Sequence, residues 1–255
     1  MKRIVIKIGS NVLTRDDGTL DITRMSAIVD QISILHRKGM EIIVVTSGAV
    51  ACGKAVLGDE EGLDKVEQRQ LYSAVGQVRL MREYSQFFRN WGINIGQVLT
   101  MKEDFTRKEE YTNLHQCVEI MLRNNVIPVM NENDTVCVTE LMFTDNDELS
   151  GLTAEMLNAD TLVILSNIDG LFDSDPASGK AGLIRRVAPG DDIAGYISDS
   201  RSPAGRGGMA SKCKTALSVS SKGIRVIIAN GRRNDVLTDL VTSPDTVPHT
   251  EFIAK

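Results

Sequence analysis

Six short runs along the chain are almost wholly apolar: "RIVIKI" (3–8), "EIIVVT" (41–46), "INIGQVL" (93–99), "VIPVM" (126–130), "TLVILS" (161–166) and "IRVIIA" (224–229). Runs of this length and character suit strands covered on both faces. Between the first two, Ile22, Met25, Ile28, Val29, Ile32 and Leu35 recur at helical spacing and stop at Gly39, a favourable residue for a helix end. Leu71, Val75, Val78 and Met81 mark a second long helix ending near Gly92. Further helices are expected over 108–124, 147–158, 208–222 and 234–241. Alternation of strand and helix predicts an α/β fold with a central, mostly parallel sheet flanked by helices. "TVCVTELMFT" (135–144) alternates without a helical period and reads as a hairpin or a pair of short strands, and 173–208 is rich in loop residues.

Composition narrows the class without changing that picture. With 255 residues, 42% hydrophobic and 25% charged, the chain can bury a full core as a globular protein. A net charge of −5 gives no overall attraction to nucleic acid or to an anionic membrane, and neither is expected as a partner. Cys52, Cys117, Cys137 and Cys213 lie far apart, as do His36, His115 and His249, so neither a disulfide framework nor a zinc site is expected. No apolar signal region precedes the first strand, and no run approaches the ~20 apolar residues of a membrane span, so the cytoplasm is the expected location.

In α/β folds, ligands sit beyond the carboxyl ends of the strands, where helix N-termini present free amides. The first exit is "KIGSNV", with Lys7 near the strand end and Gly9-Ser10 as a small turn; the second is "VTSGAVACG", with Thr46, Ser47 and Gly48. The fourth, "MNENDT", carries Asn131, Glu132, Asn133 and Asp134. The fifth is "SNIDGLF", and before the sixth strand "AGRGGMASK" opens a helix carrying Lys212 about one turn in. Glycines 205, 207 and 208 there suit a phosphate cradle, because bare amides can approach the oxygens and the helix dipole favours anions. "FTDNDELSG" (143–151) crowds Asp145, Asn146, Asp147 and Glu148 ahead of another helical pattern.

Several familiar signatures are absent. There is no GxxxxGK[ST], and the first turn lacks GxGxxG, which removes a Walker-type NTPase and a dinucleotide-binding unit. Asp145-x-Asp147 lacks the glycine and distal glutamate of a calcium loop, and no GxSxG elbow surrounds Ser47. Lysines at two exits suit a phosphoryl group in flight, whereas acids and amides at two others suit the ammonium of a small substrate.

Taken together, "VIKIGSNVLT", "VVTSGAVACG", "VIPVMNENDTV", "TDNDELSGLTA" and "GRGGMASK" resemble, in order from Lys2 to about Ile253, the amino acid kinase family. Within it, the likeness is to members that phosphorylate glutamate. The resemblance implies a three-layer αβα sandwich that transfers the γ-phosphoryl group of ATP to the γ-carboxylate of L-glutamate, the first step of proline biosynthesis. It implies one kinase domain over 1–255, its N-terminal part mainly binding substrate and its part from about 160 to 255 mainly binding nucleotide. Many members carry a C-terminal PUA domain of RNA-binding type; the sequence stops at Lys255, and none is expected.

By position, the resemblance makes Lys7 and Lys212 the pair that neutralises the transferring group, and Asp145 the acid that organises both lysines. Ser47, Gly48, Asp134 and Asn146 fall at glutamate-binding positions, with Asp147 as a helper, while Glu148 only favours the helix dipole. Lys7, Gly9, Ser166, Asn167, Arg206, Gly207, Gly208, Met209, Ala210, Ser211 and Lys212 fall on the ATP side. Ser166-Asn167 stands where members commonly have Thr-Asp, and Arg206 where a small residue is common. Mg²⁺ is implied with ATP, and no side chain is assigned to it. A homo-dimer or homo-tetramer is expected, both from the family and from Tyr72, Tyr84, Phe87 and Phe88, more aromatic surface than a solvent-facing helix needs. Functional coupling to the next enzyme of proline biosynthesis is a further expectation. Kinases for aspartate, acetylglutamate, carbamate or UMP remain alternatives, as does a non-catalytic amino-acid sensor on the same fold.

Overall fold

A computed structural model describes residues 2–137, 145–175, 179, 181–196 and 208–255. Its eight strands are β1 (Arg3–Ile8), β2 (Glu41–Val45), β3 (Asn94–Thr100), β4 (Val126–Glu132), β5 (Thr161–Ser166), β6 (Arg186–Val187), β7 (Arg225–Asn230) and β8 (His249–Phe252). Its helices are α1 (Ser10–Leu13), α2 (Ile22–Arg37), α3 (Ala49–Leu57), α4 (Lys65–Asn90), α5 (Lys108–Arg123), α6 (Asn146–Met156), α7 (Met209–Ser220) and α8 (Val236–Thr242). The strands form one sheet in the order β3-β4-β2-β1-β5-β7-β8-β6. The pairs from β3 to β7 are parallel, and β8 runs antiparallel to β7. The six apolar runs all form strands, and the six expected helices are all present.

Side-chain alternation along the central strands builds the two outer layers. In β1, Ile4, Ile6 and Ile8 join a core with α2, α4 and α8, whereas Val5 joins a second core with α5, α6 and α7. In β2, Ile42 and Val44 face the first core, and Ile43 and Val45 the second. Both faces are dry, which explains the unbroken apolar runs. The same period of two puts Lys7, in phase with Val5, on the side of α6 and α7. The register pairs it with Val45 of β2 and Ile164 of β5, at the middle of the sheet.

Four elements lay outside the expected set: the one-turn α1 where a small turn was expected, α3, β6 and β8. The small residues after Gly48 form α3; "AVACG" lacks a long apolar stripe because α3 packs by close backbone approach instead. A Cβ on Gly53 would lie 1.9 Å from Tyr72 O, and one on Gly76 would lie 1.8 Å from Ala49 O. The two-residue β6 and the four-residue β8 are too short for a periodicity to declare them. The expected hairpin lies mostly outside the described residues; Thr135 and Val136, which are described, are in a turn.

The aromatic stripe of α4 corrects another expectation. Tyr72, Tyr84 and Phe88 are buried within the chain, and Phe87 packs against the same core, so they supply no aromatic surface for assembly. No helix among the described residues is long and apolar enough to cross a membrane.

Candidate active site

Lys7, one residue before the end of β1, has a side chain that water barely reaches, and what it meets comes from the start of α6. Asp147 Oδ1 lies 2.6 Å from Lys7 Nζ, and its Oδ2 lies 3.1 Å from Lys212 Nζ. Asp147 is 0% exposed, so one carboxylate holds two ammonium groups out of water. Burial pushes the Asp147 carboxyl upward, and the charges of Lys7 and Lys212 overcome that push, holding it below the usual carboxylate range.

The acid that joins the lysines is thus Asp147, not Asp145, and helix geometry gives the reason. Asp145 is the N-cap of α6, in extended conformation, and its Oδ1 accepts from the backbone amides of Asp147 and Glu148 at 2.9 and 3.1 Å. Asp147 sits in the first turn, in line with Ser150, Gly151 and Ala154, the buried face that packs against α7 and β1. A Cβ on Gly151 would stand 2.8 Å from Thr215 Cγ2, which shows how closely α6 and α7 approach and why Lys212 can reach across. Burial first, then the neighbouring Asp147, pushes the Asp145 carboxyl up, while the Ser211 hydroxyl, the Glu148 amide and Lys7 work against them. Glu148 does more than favour the dipole: its Oε1 pairs with Lys102 Nζ at 2.6 Å.

A second cluster lies at the exits of β2 and β4. Asn146 Nδ2 lies 2.9 Å from both Thr46 O and Ser47 Oγ, and 3.1 Å from Asn131 Oδ1, tying the starts of α3 and α6 to the end of β4. Its Oδ1 is buried without a hydrogen-bond partner among the described residues. Gly48 caps α3 with φ of 100°, a left-handed conformation that suits glycine there. Asp134 is buried, and Arg69 of α4 binds it through Nε at 2.8 Å and through Nη2. The same Nη2 reaches Glu132 Oε2 at 2.8 Å. Burial pushes the Asp134 carboxyl up, against the pull of Arg69 and Glu132.

Arg69 was not among the residues expected from sequence, although a signal existed. It stands in helical phase with Ser73, Gly76, Leu80 and Tyr84, and a charge on a buried face needs a buried partner. Gln77 and Tyr84 extend the same pattern: Asn131 Nδ2 donates to Gln77 Oε1 at 3.0 Å, and the Tyr84 and Thr46 hydroxyls lie 2.8 Å apart.

On the other side of Lys7, Ser166 ends β5, buried, and Asn167 beside it is exposed. Gly208 is the N-cap of α7 and has no side chain to take up the first amides, those of Met209, Ala210 and Ser211. Gly9 donates its amide to Leu165 O at 3.1 Å, which holds the turn after β1 against β5. Gly205, Arg206 and Gly207 lie outside the described residues.

A glutamate 5-kinase of Bacteroides thetaiotaomicron is 53% identical over 251 residues, covering 98% of this chain and 70% of that one. A glutamate 5-kinase of Symbiobacterium thermophilum is 39% identical over 246 residues, covering 96% of this chain and 94% of that one. Among solved structures, an isopentenyl phosphate kinase superposes with a TM-score of 0.69 at 15% identity, covering 98% and 99% of the two chains, a likeness of fold. The sequence profile of the amino acid kinase family matches residues 2–230, and the chain belongs to that family.

Proposed function

We infer that this chain is a glutamate 5-kinase: it transfers the γ-phosphoryl group of ATP to the γ-carboxylate of L-glutamate, giving L-glutamyl 5-phosphate for proline biosynthesis. The observation that carries the mechanism is Asp147 held between Lys7 and Lys212. A carboxylate is already a nucleophile, so no general base is required. One γ-carboxylate oxygen forms a bond to the γ-phosphorus as the bond to the β–γ bridging oxygen breaks, and the electron pair leaves with ADP. Negative charge spreads over the oxygens in flight, and Lys7 and Lys212 supply fixed positive charge where it develops. Asp147 sets the spacing of the two ammonium groups before substrate arrives, so little reorganisation is left for the reaction.

Ser47, Gly48, Asp134 and Asn146 form the acceptor side, with Asp134 facing the substrate ammonium. Ser166 and Asn167 flank the nucleotide, and the amides of Gly208, Met209, Ala210 and Ser211 suit its phosphates, with Arg206 and Gly207 belonging to the same loop in sequence. The division is then an acceptor part up to about 160 and a nucleotide part from there to 255. Mg²⁺ accompanies ATP in this family, but the nearby acids are already engaged, Asp147 by two lysines and Asp145 by helix amides. These residues do not make a metal site.

ATP consumption with hydroxylamine present tests the reading, because hydroxylamine traps an acyl phosphate as a hydroxamate. Hydroxamate is expected with L-glutamate and not with L-aspartate or N-acetylglutamate; preference for either of the latter would overturn the assignment.

We place this reaction in the cytoplasm, with the chain assembled as a homo-dimer or homo-tetramer. Val78 of α4, 73% exposed, is an apolar side chain that such assembly would cover. Light scattering at micromolar concentration should show a multiple of 27.9 kDa; a species of that mass alone would refute assembly. An acyl phosphate hydrolyses in water, which favours functional coupling to the next enzyme of the pathway.

A further inference from the structure

We propose that Arg69 is a positioning residue that fixes the recognition of the substrate's α-ammonium group, by holding Asp134 and Glu132 as one rigid acidic unit. The proposal rests on the functional reading above. Three observations carry it.

The first is the geometry of the guanidinium. One Nη2 serves both acids and Nε returns to Asp134, so the planar fork fixes where the Asp134 carboxylate stands. Side chains of Arg69, Glu132 and Asp134 are only 17%, 2% and 10% exposed, so the pairing is shielded from water. The second is charge. Arg69 brings a positive charge to two adjacent buried acids, and its pull on Asp134 works against the burial that pushes that carboxyl up. Without Arg69, two buried acids would stand side by side, and such a pair retains a proton on one member. Cys137 also feels this cluster, being pushed up by burial and then by Glu132 and Glu103. The third is place. Arg69 is the first of a line of α4 side chains that each hold an acceptor-side segment: Gln70 donates to Thr135 O at 2.8 Å, Gln77 accepts from Asn131, and Tyr84 meets Thr46. Arg69 is the charged member of that line, and it meets the acid assigned to the ammonium.

The experiment compares Arg69→Gln, which removes the charge, with Arg69→Lys, which keeps it. Steady-state kinetics are measured for glutamate and ATP, with glutarate, which lacks the amino group, as a competitor against glutamate. Arg69→Gln is expected to raise the KM for glutamate at least tenfold, with kcat and the KM for ATP within threefold. Arg69→Lys is expected to recover the glutamate KM to within threefold. The inhibition constant of glutarate should stay within twofold in both, because it offers no ammonium. Thermal melts establish folding; should Arg69→Gln not fold, Glu132→Gln, which takes a carboxylate out of the unit that Arg69 joins, is expected to raise the glutamate KM at least fivefold. An unchanged glutamate KM in a folded variant overturns the proposal, as does an equal loss for glutamate and glutarate. Wild-type protein inactive on glutamate in the same assay would instead overturn the functional reading.

Discussion

At the scale of single residues, Asp147 decides how two buried cations can coexist. Lys7 and Lys212 meet on its two oxygens, and without it their charges would repel in a site water does not reach. Asp147→Asn should therefore lower kcat at least about a hundredfold, roughly 3 kcal/mol for a preorganised charge lost from the transition state. Asp145→Asn should lose less turnover and little stability, because asparagine serves as an N-cap nearly as well. Equal kcat losses in the two variants would contradict the geometry. Asp147 also sets an acid limit. Its carboxyl titrates lower in the folded chain than in the unfolded one, so its contribution is fully present above the ordinary carboxylate value and is lost as pH falls through the depressed folded value. Melting temperature should fall on acidification below about pH 4 by more in the wild type than in Asp147→Asn. Lys212→Met, which keeps length and removes charge, should likewise cost about a hundredfold in turnover while the protein still folds, and near-normal turnover would refute its role.

At the scale of elements, the acceptor loops are placed by a helix pair that meets with almost no side chain between. Ala49 and Gly53 of α3 lie directly on Gly76 and Tyr72 of α4, backbone against side-chain-free positions. A methyl group at residue 76 would meet Ala49 O and Gly53 N, backbone atoms that cannot rotate away, so α3 must shift and carry Ser47 and Gly48 with it. Gly76→Ala should destabilise by about 2–3 kcal/mol and raise the glutamate KM. Gly18→Ala serves as a control: its φ is +79°, with nothing within 4 Å of an added Cβ, so it carries conformational strain of about 1 kcal/mol without moving a helix. Melts that rank the two variants the other way round would remove the packing argument. This packing also explains what the sequence leaves hidden. Long apolar strands and amphipathic helices declare themselves by period, whereas α3 is written in alanine and glycine, whose role exists only against the facing helix. The same holds for the acids of α6: the cluster is plain in "TDNDELSG", but a shift of two residues turns a cap into a bridge, and only the helix phase relative to β1 tells which.

At the scale of the whole molecule, strand order puts Lys7 at the middle of the sheet, between the two tasks proposed for its halves. β1 lies between β2 and β5, so Lys7 stands where the proposed acceptor half, from β2, β4 and α3, meets the proposed nucleotide half, from β5 and α7. The sequence motifs at the strand exits suggest that division, whereas Arg69 gave no such signal, since it comes from a helix lying along the other face of the sheet. The division has a kinetic consequence. A group on the acceptor side touches glutamate in both ground and transition states, so its loss should appear in one KM and leave the other substrate alone. Asp134→Asn tests this with little risk of unfolding. Burial already disfavours the Asp134 charge, so a neutral amide of the same shape removes a desolvation penalty while Arg69 keeps Glu132 as a partner. The expected result is a glutamate KM raised ten- to a hundredfold, about 1.5–3 kcal/mol for a hydrogen bond to a charged group, with the ATP KM within twofold. Steady-state kinetics alongside thermal melts measure both. A rise in the ATP KM of similar size would mean that the two halves are coupled through the sheet, and a fall in kcat alone would move Asp134 from substrate binding to the transfer step.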